Sequence, residues 1–140
     1  MKTRVARIAQ VEPGLTGQCH ALYSKYYEGS SETYFRSDFK KKDLILLLSN
    51  SDGALCGFST LAVFPFESAN GPCRILFSGD TIIEHRHWGN LAFPRAWAFL
   101  AGQFALPSPA GTKSFTLLRL HTSLAICGGF PHTWIIALSY

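Results

Sequence analysis

The sequence predicts an α/β fold of the α+β kind, in which helices and strands share one hydrophobic core. The chain has 140 residues, which is enough for one domain with one core and too few for two. Apolar residues recur at helical spacing near the N-terminus, and strand-like apolar segments follow, two of them joined by a hairpin-turn sequence. Aromatic residues make up 14% of the chain, so we expect Phe, Tyr and Trp to dominate the core.

The first predicted elements are a short strand and an amphipathic helix. Val5 to Val11 predicts the strand, which ends at Pro13-Gly14. Apolar residues then recur at steps of four, three, one and three, which predicts a helix that ends near Gly29. The apolar positions of this helix are Leu15, Cys19, Leu22, Tyr23 and Tyr26.

A second helix is predicted after Ser30 or Ser31, either of which can cap its first turn. Its apolar side comprises Tyr34, Phe35 and Phe39. The run Lys40-Lys41-Lys42 follows at the C-terminal end, where the helix dipole favours positive charge. We therefore interpret the run as a solvated helix end rather than a nucleic-acid-binding patch.

Three strand signals follow the second helix. Leu44 to Leu48 is continuously apolar, which predicts a strand buried on both faces. The sequence SNSDG, from Ser49 to Gly53, is typical of a hairpin turn and leads into a strand from Ala54 to about Phe66. Arg74 to Ile83 predicts a third strand, in which Gly79 indicates a bulge or a close backbone approach.

One more helix is predicted after the third strand, beginning near Asn90 or slightly later. Its apolar face comprises Leu91, Ala92, Ala96, Trp97 and Leu100. Pro94 then lies in the first turn, where proline is tolerated, rather than in the helix interior, where it costs about 3 kcal/mol.

The charge of the chain is unevenly distributed. Residues 1–84 carry nine basic and nine acidic side chains, whereas residues 85–140 carry four basic side chains and no acidic one. Three interpretations remain open: an anion-binding half that faces a phosphate-rich ligand or nucleic acid, four dispersed charges that form no patch, and an unusual origin of the C-terminal segment.

Cysteine spacing and the N-terminus bear on the compartment. The four cysteines lie far apart without a CxxC pair, which predicts isolated buried thiols rather than a disulfide framework or zinc ribbon. The N-terminal basic residues are not followed by an apolar run, so no signal peptide is predicted. We therefore expect a cytoplasmic protein.

The segment between the third strand and the last helix has the features of an anion site. Backbone N–H groups at a helix N-terminus lack intrahelical partners, and the helix dipole favours negative charge there. Gly89 allows close backbone approach and Arg86 can add a charged contact. Many α/β proteins have a glycine before a helix, so a plain strand-to-helix connection without a ligand remains the alternative.

The same segment resembles the GNAT superfamily of N-acetyltransferases. Its signature Q/R-x-x-G-x-G/A is matched by Arg86-His87-Trp88-Gly89-Asn90-Leu91 at the first and fourth positions, while Leu91 replaces the second small residue. GFSTLAVF is similar to the family's preceding strand, and LFSGDTIIEHRHWGN resembles a bacterial GNAT-like subgroup. The resemblance covers roughly residues 3–103. It implies a mixed, mainly antiparallel sheet flanked by helices and incomplete after the helix that follows the coenzyme strand.

The resemblance also implies a function and a coenzyme site. Acetyl-CoA, or another acyl-CoA, would be the co-substrate for acyl transfer to an amine on a small molecule, a protein N-terminus or a lysine, with no metal. Its pyrophosphate would bind near Arg86, and its pantetheine arm would run along the third strand. The implied contacts are the amides of Gly89, Asn90, Leu91 and Ala92 for the pyrophosphate, and the backbone of Thr81, Ile82 and Ile83 for the pantetheine.

Candidate catalytic groups are few. Asp80 and Glu84 are the acids on the coenzyme strand; Asp80 can act as a base, anchor the substrate or cap a bulge, and we expect Glu84 to face solvent. His85 and His87 would share one side of an extended segment, but no nearby Cys or acid supplies a convincing third ligand. The sequence therefore predicts no metal site.

Residues 104–140 depart from the family pattern. This segment is acid-free, and its apolar part, Leu117 to Leu138, is interrupted by charged residues and by Gly128 to Pro131, so we expect no membrane span. We hypothesise that it is translated out of the ancestral frame, so that residues 1–103 form the acyl-CoA-binding domain and 104–140 an atypical tail. An exposed sheet edge or the apolar tail would then favour self-association.

Three functional interpretations follow. The first is an acetyl-CoA-dependent N-acyltransferase, and the second is a non-catalytic GNAT-fold remnant or binding module that lacks the fifth-strand half of the site. A nucleic-acid or membrane-surface protein is the third; it depends only on the charge asymmetry and the apolar tail, so we expect no nucleic-acid partner.

Overall fold

The computed structural model describes residues 1–29, 31–68, 71–105, 115–120 and 133–139. Within these ranges, it describes the side chains of residues 1–65 and 75–104. Two 3-10 turns, Ile8–Gln10 and His85–His87, accompany the helices and strands. In chain order these are β1 (Lys2–Arg7), α1 (Pro13–Tyr23), α2 (Glu32–Phe39), β2 (Leu44–Ser49), β3 (Leu55–Ser68), β4 (Gly71–Ile83), α3 (Ala92–Ala105), β5 (Phe115–Leu120) and β6 (Thr133–Ser139).

The strands form one sheet with the order β1-β2-β3-β4-β6-β5, and every pairing between described strands is antiparallel. The predicted α+β class, with a mainly antiparallel sheet flanked by helices, is confirmed. The structure differs from the expectation of a sheet that is incomplete after α3, because β6 pairs with residues 73–77 of β4. β4 is 13 residues long, so β6 covers only part of its outer edge. The backbone N–H and C=O groups along the rest of this edge can pair with another strand.

The helices cover the sheet on both faces. Core residues of α1 and α2, such as Leu22 and Phe35, pack with Ile45 and Leu47 of β2. Core residues of α3 pack on the opposite face, with Leu46 and Leu48 of the same strand. This alternation confirms the prediction that β2 is buried on both faces. Within the described ranges, no helix is long and apolar enough to cross a membrane.

The first strand ends earlier than predicted. β1 covers Lys2–Arg7 rather than Val5 to Val11, and the chain turns at Ile8. The amide of Ile8 donates to the carbonyl of Asp43 at 2.9 Å, and its side chain is buried against α1 and α2. Pro13, predicted to end the strand, opens α1 at a position where its missing N–H is harmless.

The start of α2 follows the sequence prediction. Ser31 is the N-cap, and its hydroxyl accepts a hydrogen bond from the amide of Tyr34 at 3.2 Å. At the other end, Lys40 and Lys41 are exposed, whereas Lys42 turns back and donates to Asp38 at 2.8 Å. Two of the three lysines therefore form the predicted solvated end.

The predicted bulge is present at Gly79. Ser59 pairs with Thr81 and Leu61 with Ser78, so β4 has one residue more than β3 in this interval. A Cβ atom on Gly79 would lie 2.6 Å from Oγ1 of Thr60, which explains glycine at this position. The bulge reorients the last residues of β4, from Asp80 onward, which are the residues of interest for function.

Candidate functional site

The turn between β4 and α3 is a short 3-10 turn followed by a glycine. β4 ends at Ile83, the 3-10 turn covers His85–His87, and α3 begins at Ala92. Gly89 has a φ of 81°, a left-handed conformation that favours glycine. The turn thus brings the end of the strand directly to the N-terminus of a helix, as the sequence predicts.

Two of the four amides predicted to hold a pyrophosphate are already engaged. The amide of Asn90 donates to the carbonyl of His87 at 3.3 Å, and that of Ala92 donates to Oδ1 of Asn90 at 2.8 Å. The amides of Gly89 and Leu91 have no hydrogen-bond partner among the described residues. The Leu91 side chain is 57% exposed. Half of the predicted cradle is therefore occupied by the protein's own acceptors.

The outer edge of β4 is unpaired next to this turn. β6 covers residues 73–77, and no described strand pairs with 78–83 on that side. The amide of Glu84 donates to the carbonyl of Cys56 on β3. In an antiparallel pair, the backbone N–H and C=O groups of successive residues point alternately toward and away from the partner strand. The backbone groups of Ile82 therefore point toward β3, and those of Thr81 and Ile83 point toward the outer edge. The carbonyl of Ile83 accepts from the indole nitrogen of Trp88 at 2.9 Å. Of the three predicted pantetheine contacts, Thr81 has outward backbone groups that meet no described strand.

The prediction that Glu84 faces solvent is wrong. Its side chain is 14% exposed and accepts from Lys25 at 3.0 Å and from Arg86 at 2.7 Å. Burial by itself would raise the pKa of Glu84, but the hydrogen bonds and charges of Lys25 and Arg86 outweigh it and lower the pKa below the ordinary value. An ionised carboxylate held by two cations is a weak base, and Arg86 is partly neutralised as an anion contact.

Asp80 is in the opposite electrostatic environment. Burial raises its pKa, the negative charge of Asp38 raises it further, and Lys42 acts in the opposite direction. Burial also raises the pKa of Tyr27, to which the charge of Asp80 contributes. A carboxyl group with a raised pKa suits general-base chemistry near neutral pH better than Glu84 does.

Three hydroxyl groups near the β4 bulge form a cluster that the sequence did not predict. The hydroxyl of Ser59 lies 3.0 Å from that of Ser78 and 2.8 Å from that of Thr81, and the latter two are 3.3 Å apart. The three side chains line the β3–β4 ladder at the bulge. Two serines within otherwise apolar strands were the available signal.

The two histidines of the turn point to different neighbours, because the segment is a 3-10 turn and not extended. The His85 ring packs edge-on against Trp88 with centroids 4.2 Å apart. His87 lies near Glu84, with Nε2 3.9 Å from its carboxylate. The predicted common side for His85 and His87 is therefore not observed.

Two surface cavities lie elsewhere. One of about 520 Å³ lies between α1 and the β2–β3 turn and reaches Lys25 and Glu84. The other, of about 810 Å³, lies around Ile8, Phe39 and Phe104. Neither is lined by the residues from Gly89 to Ala92. The first cavity touches the described site only through Glu84.

No model of a known protein family matches the sequence, and no curated protein matches it. The resemblance to the GNAT superfamily therefore depends on the residues of the β4–α3 segment and stays a hypothesis.

Proposed function

We propose that this chain is an acetyl-CoA-dependent N-acyltransferase-like protein that transfers an acyl group to an amine. The observation that carries the proposal is the outer edge of β4 along residues 78–83, with which no described strand pairs and which runs directly into a glycine turn at the N-terminus of α3. An extended amide-bearing arm can pair with such an edge, while the diphosphate attached to it meets free amides and a favourable helix dipole.

Coenzyme binding requires one local rearrangement. The amides of Gly89 and Leu91 are available, and Ala92 is capped only by the side chain of Asn90. A diphosphate oxygen carries more charge than the Asn90 amide oxygen and accepts a stronger hydrogen bond, so it would displace this cap. Thr81 would then pair with the pantetheine arm on the outer edge of β4.

Acyl transfer would use Asp80 as the base. The acceptor amine attacks the thioester carbonyl, the carbon–sulfur bond breaks, and the amine proton passes to Asp80 directly or through water. The thiolate leaves with the coenzyme and takes a proton from solvent. The raised pKa of Asp80 supports this role, because a base with a pKa closer to the working pH transfers protons more effectively.

Calorimetric titration of acetyl-CoA against the purified chain tests binding. Leu91→Gly removes an exposed side chain above the turn, and we expect tighter binding by a factor of about three to ten, corresponding to roughly 1 kcal/mol. Phe99→Ala is the matched control, since it removes an exposed apolar side chain from α3 away from the turn, and its affinity should equal that of wild type. Absence of binding at millimolar coenzyme would contradict the proposal.

A non-catalytic GNAT-fold remnant is the second candidate. It is favoured by the bonds that already fill parts of the site: Asn90 to Ala92, Trp88 to Ile83, and Arg86 to Glu84. Thiol release from acetyl-CoA over a panel of amines separates the two candidates. Release above the rate without protein excludes the remnant, whereas binding without release supports it and excludes the transferase.

A further inference from the structure

Three side chains that are far apart in the sequence converge beside the β4–α3 turn. They are Cys56 on β3, Glu84 directly after β4 and His87 in the 3-10 turn, and Sγ of Cys56, a carboxylate oxygen of Glu84 and a ring nitrogen of His87 all lie within 4.8 Å of one another. Backbone hydrogen bonds of 2.8 Å join Glu84 to Cys56 and His87 to Glu84. The cluster is therefore held by the sheet and by the turn.

His87 has an unsatisfied nitrogen within this cluster. Its Nε2 atom is buried without a hydrogen-bond partner in the part of the chain that the structure describes, and a carboxylate oxygen of Glu84 is 3.9 Å away. Buried polar atoms in folded proteins nearly always have a hydrogen-bond partner, since a buried donor or acceptor without one costs about 1–3 kcal/mol of stability. The Cys56 thiol donates a hydrogen bond to the carbonyl of Ala54 at 3.3 Å and makes no other with the described residues. Among the described residues, neither atom has a hydrogen-bond partner within the cluster.

We propose that Cys56, Glu84 and His87 form a Zn²⁺ site with a fourth position open to water. Sulfur, imidazole nitrogen and carboxylate oxygen are the ligand types that zinc prefers, and three protein ligands plus water is a common zinc arrangement. On binding, the Sγ–H bond of Cys56 breaks, an Sγ–Zn bond forms, and the proton goes to solvent. One thiolate and one carboxylate then balance the charge of the ion.

The geometry requires only a small adjustment. Zinc bond lengths of about 2.0–2.3 Å place tetrahedral ligand atoms roughly 3.3–3.6 Å apart, so the three atoms would move together by about 1 Å. Lys25 and Arg86 need not leave, because a carboxylate has about four lone-pair sites and cationic donors on it serve as outer partners of a bound metal. The 520 Å³ cavity that reaches Glu84 gives solvent access.

Cobalt titration of the full chain tests this site without any coenzyme, so its outcome is independent of the proposed function. Co²⁺ added to chelator-treated protein should give a saturable thiolate-to-cobalt charge-transfer band at one equivalent, and Zn²⁺ should abolish it. Cys56→Ser should remove the band, and His87→Gln should weaken Co²⁺ and Zn²⁺ binding by at least about tenfold. Absence of a saturable band in the wild type would overturn the proposal.

Two variants serve as matched controls. His85→Gln changes the neighbouring histidine, which packs on Trp88 instead. Cys19→Ala changes another buried thiol, in a core where burial raises the pKa of Cys19 to about 12 and holds it protonated. Both should bind Co²⁺ like wild type; an equal loss in either, or a band that persists in Cys56→Ser, would assign the metal to other residues and overturn the proposal.

A thermal readout covers the case in which Cys56→Ser does not fold, since Cys56 is fully buried. His87 is 21% exposed on its side chain, and His87→Gln should fold. Zn²⁺ should raise the melting temperature of wild type and His85→Gln but not that of His87→Gln, because only a native-state site stabilises by mass action. An equal rise in all three proteins would contradict the site.

Discussion

At the scale of single residues, two acids four positions apart, Asp80 in β4 and Glu84 directly after it, have opposite surroundings. Glu84 accepts from Lys25 and Arg86, whose charges lower its pKa despite burial. Asp80 is half-buried, and its burial, followed by the negative charge of Asp38, raises its pKa. The fold therefore favours the charged form of one carboxyl group and the neutral form of the other, and their contributions to stability change with pH in opposite directions.

Asp80→Asn tests this difference. Because the folded chain retains the Asp80 proton to a higher pH than the unfolded chain does, this carboxyl group favours folding most below its ordinary pKa, and the contribution is lost as the pH rises through the raised pKa. The free energy of unfolding of Asp80→Asn relative to wild type should thus increase from acid to neutral pH. Urea unfolding at a series of pH values measures it.

Glu84→Gln is the paired control with the opposite sign. Its lowered pKa means that Glu84 stabilises the fold above its ordinary pKa, and that this stabilisation disappears as the pH falls through the lowered value. Relative to wild type, Glu84→Gln should lose stability at neutral pH and approach wild type in acid. Parallel pH profiles for the two variants would show that the two environments do not differ.

At the scale of elements, the N-termini of α1, α2 and α3 are stabilised by different residues. Pro13 opens α1 at its first position, and the Ser31 hydroxyl caps α2. The first amide of α3 is satisfied by the side chain of Asn90. Ser31 is readable from sequence because capping depends on the first turn alone, and Asn90 illustrates the same local chemistry at the proposed coenzyme turn.

Ser31→Ala should destabilise the protein by about 1 kcal/mol, because the amide of Tyr34 loses its acceptor. Ser37→Ala is the matched control: Ser37 is exposed in the last turn of α2, away from the cap, and alanine has the higher helix propensity, so stability should be unchanged or rise slightly. Chemical denaturation of both variants checks the prediction. Equal losses would mean that helix propensity, and not the cap, dominates.

At the scale of the whole molecule, β1 and the outer edge of β4 are protected in different ways against pairing with strands of other molecules. The outermost strand β1 carries Lys2, Arg4 and Arg7, and charged side chains on an edge strand oppose pairing between molecules. The outer edge of β4 is instead covered by β6 along residues 73–77.

The predicted domain limit at residue 103 falls inside α3, which continues to Ala105. The limit stays a prediction.

A chain truncated after Ala105 tests that limit. Loss of β5 and β6 would leave the outer edge of β4 open from Cys73 to Ile83, so we expect concentration-dependent association in sedimentation velocity at concentrations where the full chain is monodisperse. A truncated chain that stays folded and monomeric would instead show that residues 1–105 are self-sufficient.

Local patterns predicted most of the elements. Continuous apolar runs, the SNSDG turn and Gly79 located β2, β3, β4 and the bulge, because each of these signals depends on a few neighbouring residues. The end of β1 could not be predicted this way, since Ile8 leaves the sheet to bond Asp43, which lies far along the chain. The GNAT resemblance and the coenzyme site remain predictions.

By itself, the sequence determined the α+β class, the doubly buried strand β2 and the glycine turn before α3, because periodicity and turn chemistry are properties of adjacent residues. Only the tertiary structure decided the surroundings of Glu84, Asp80 and His87. Lys25 reaches Glu84 from 59 positions away, and Cys56 reaches His87 from the neighbouring strand. Electrostatic and ligand environments are set by distance in space, which the order of residues along the chain does not encode locally.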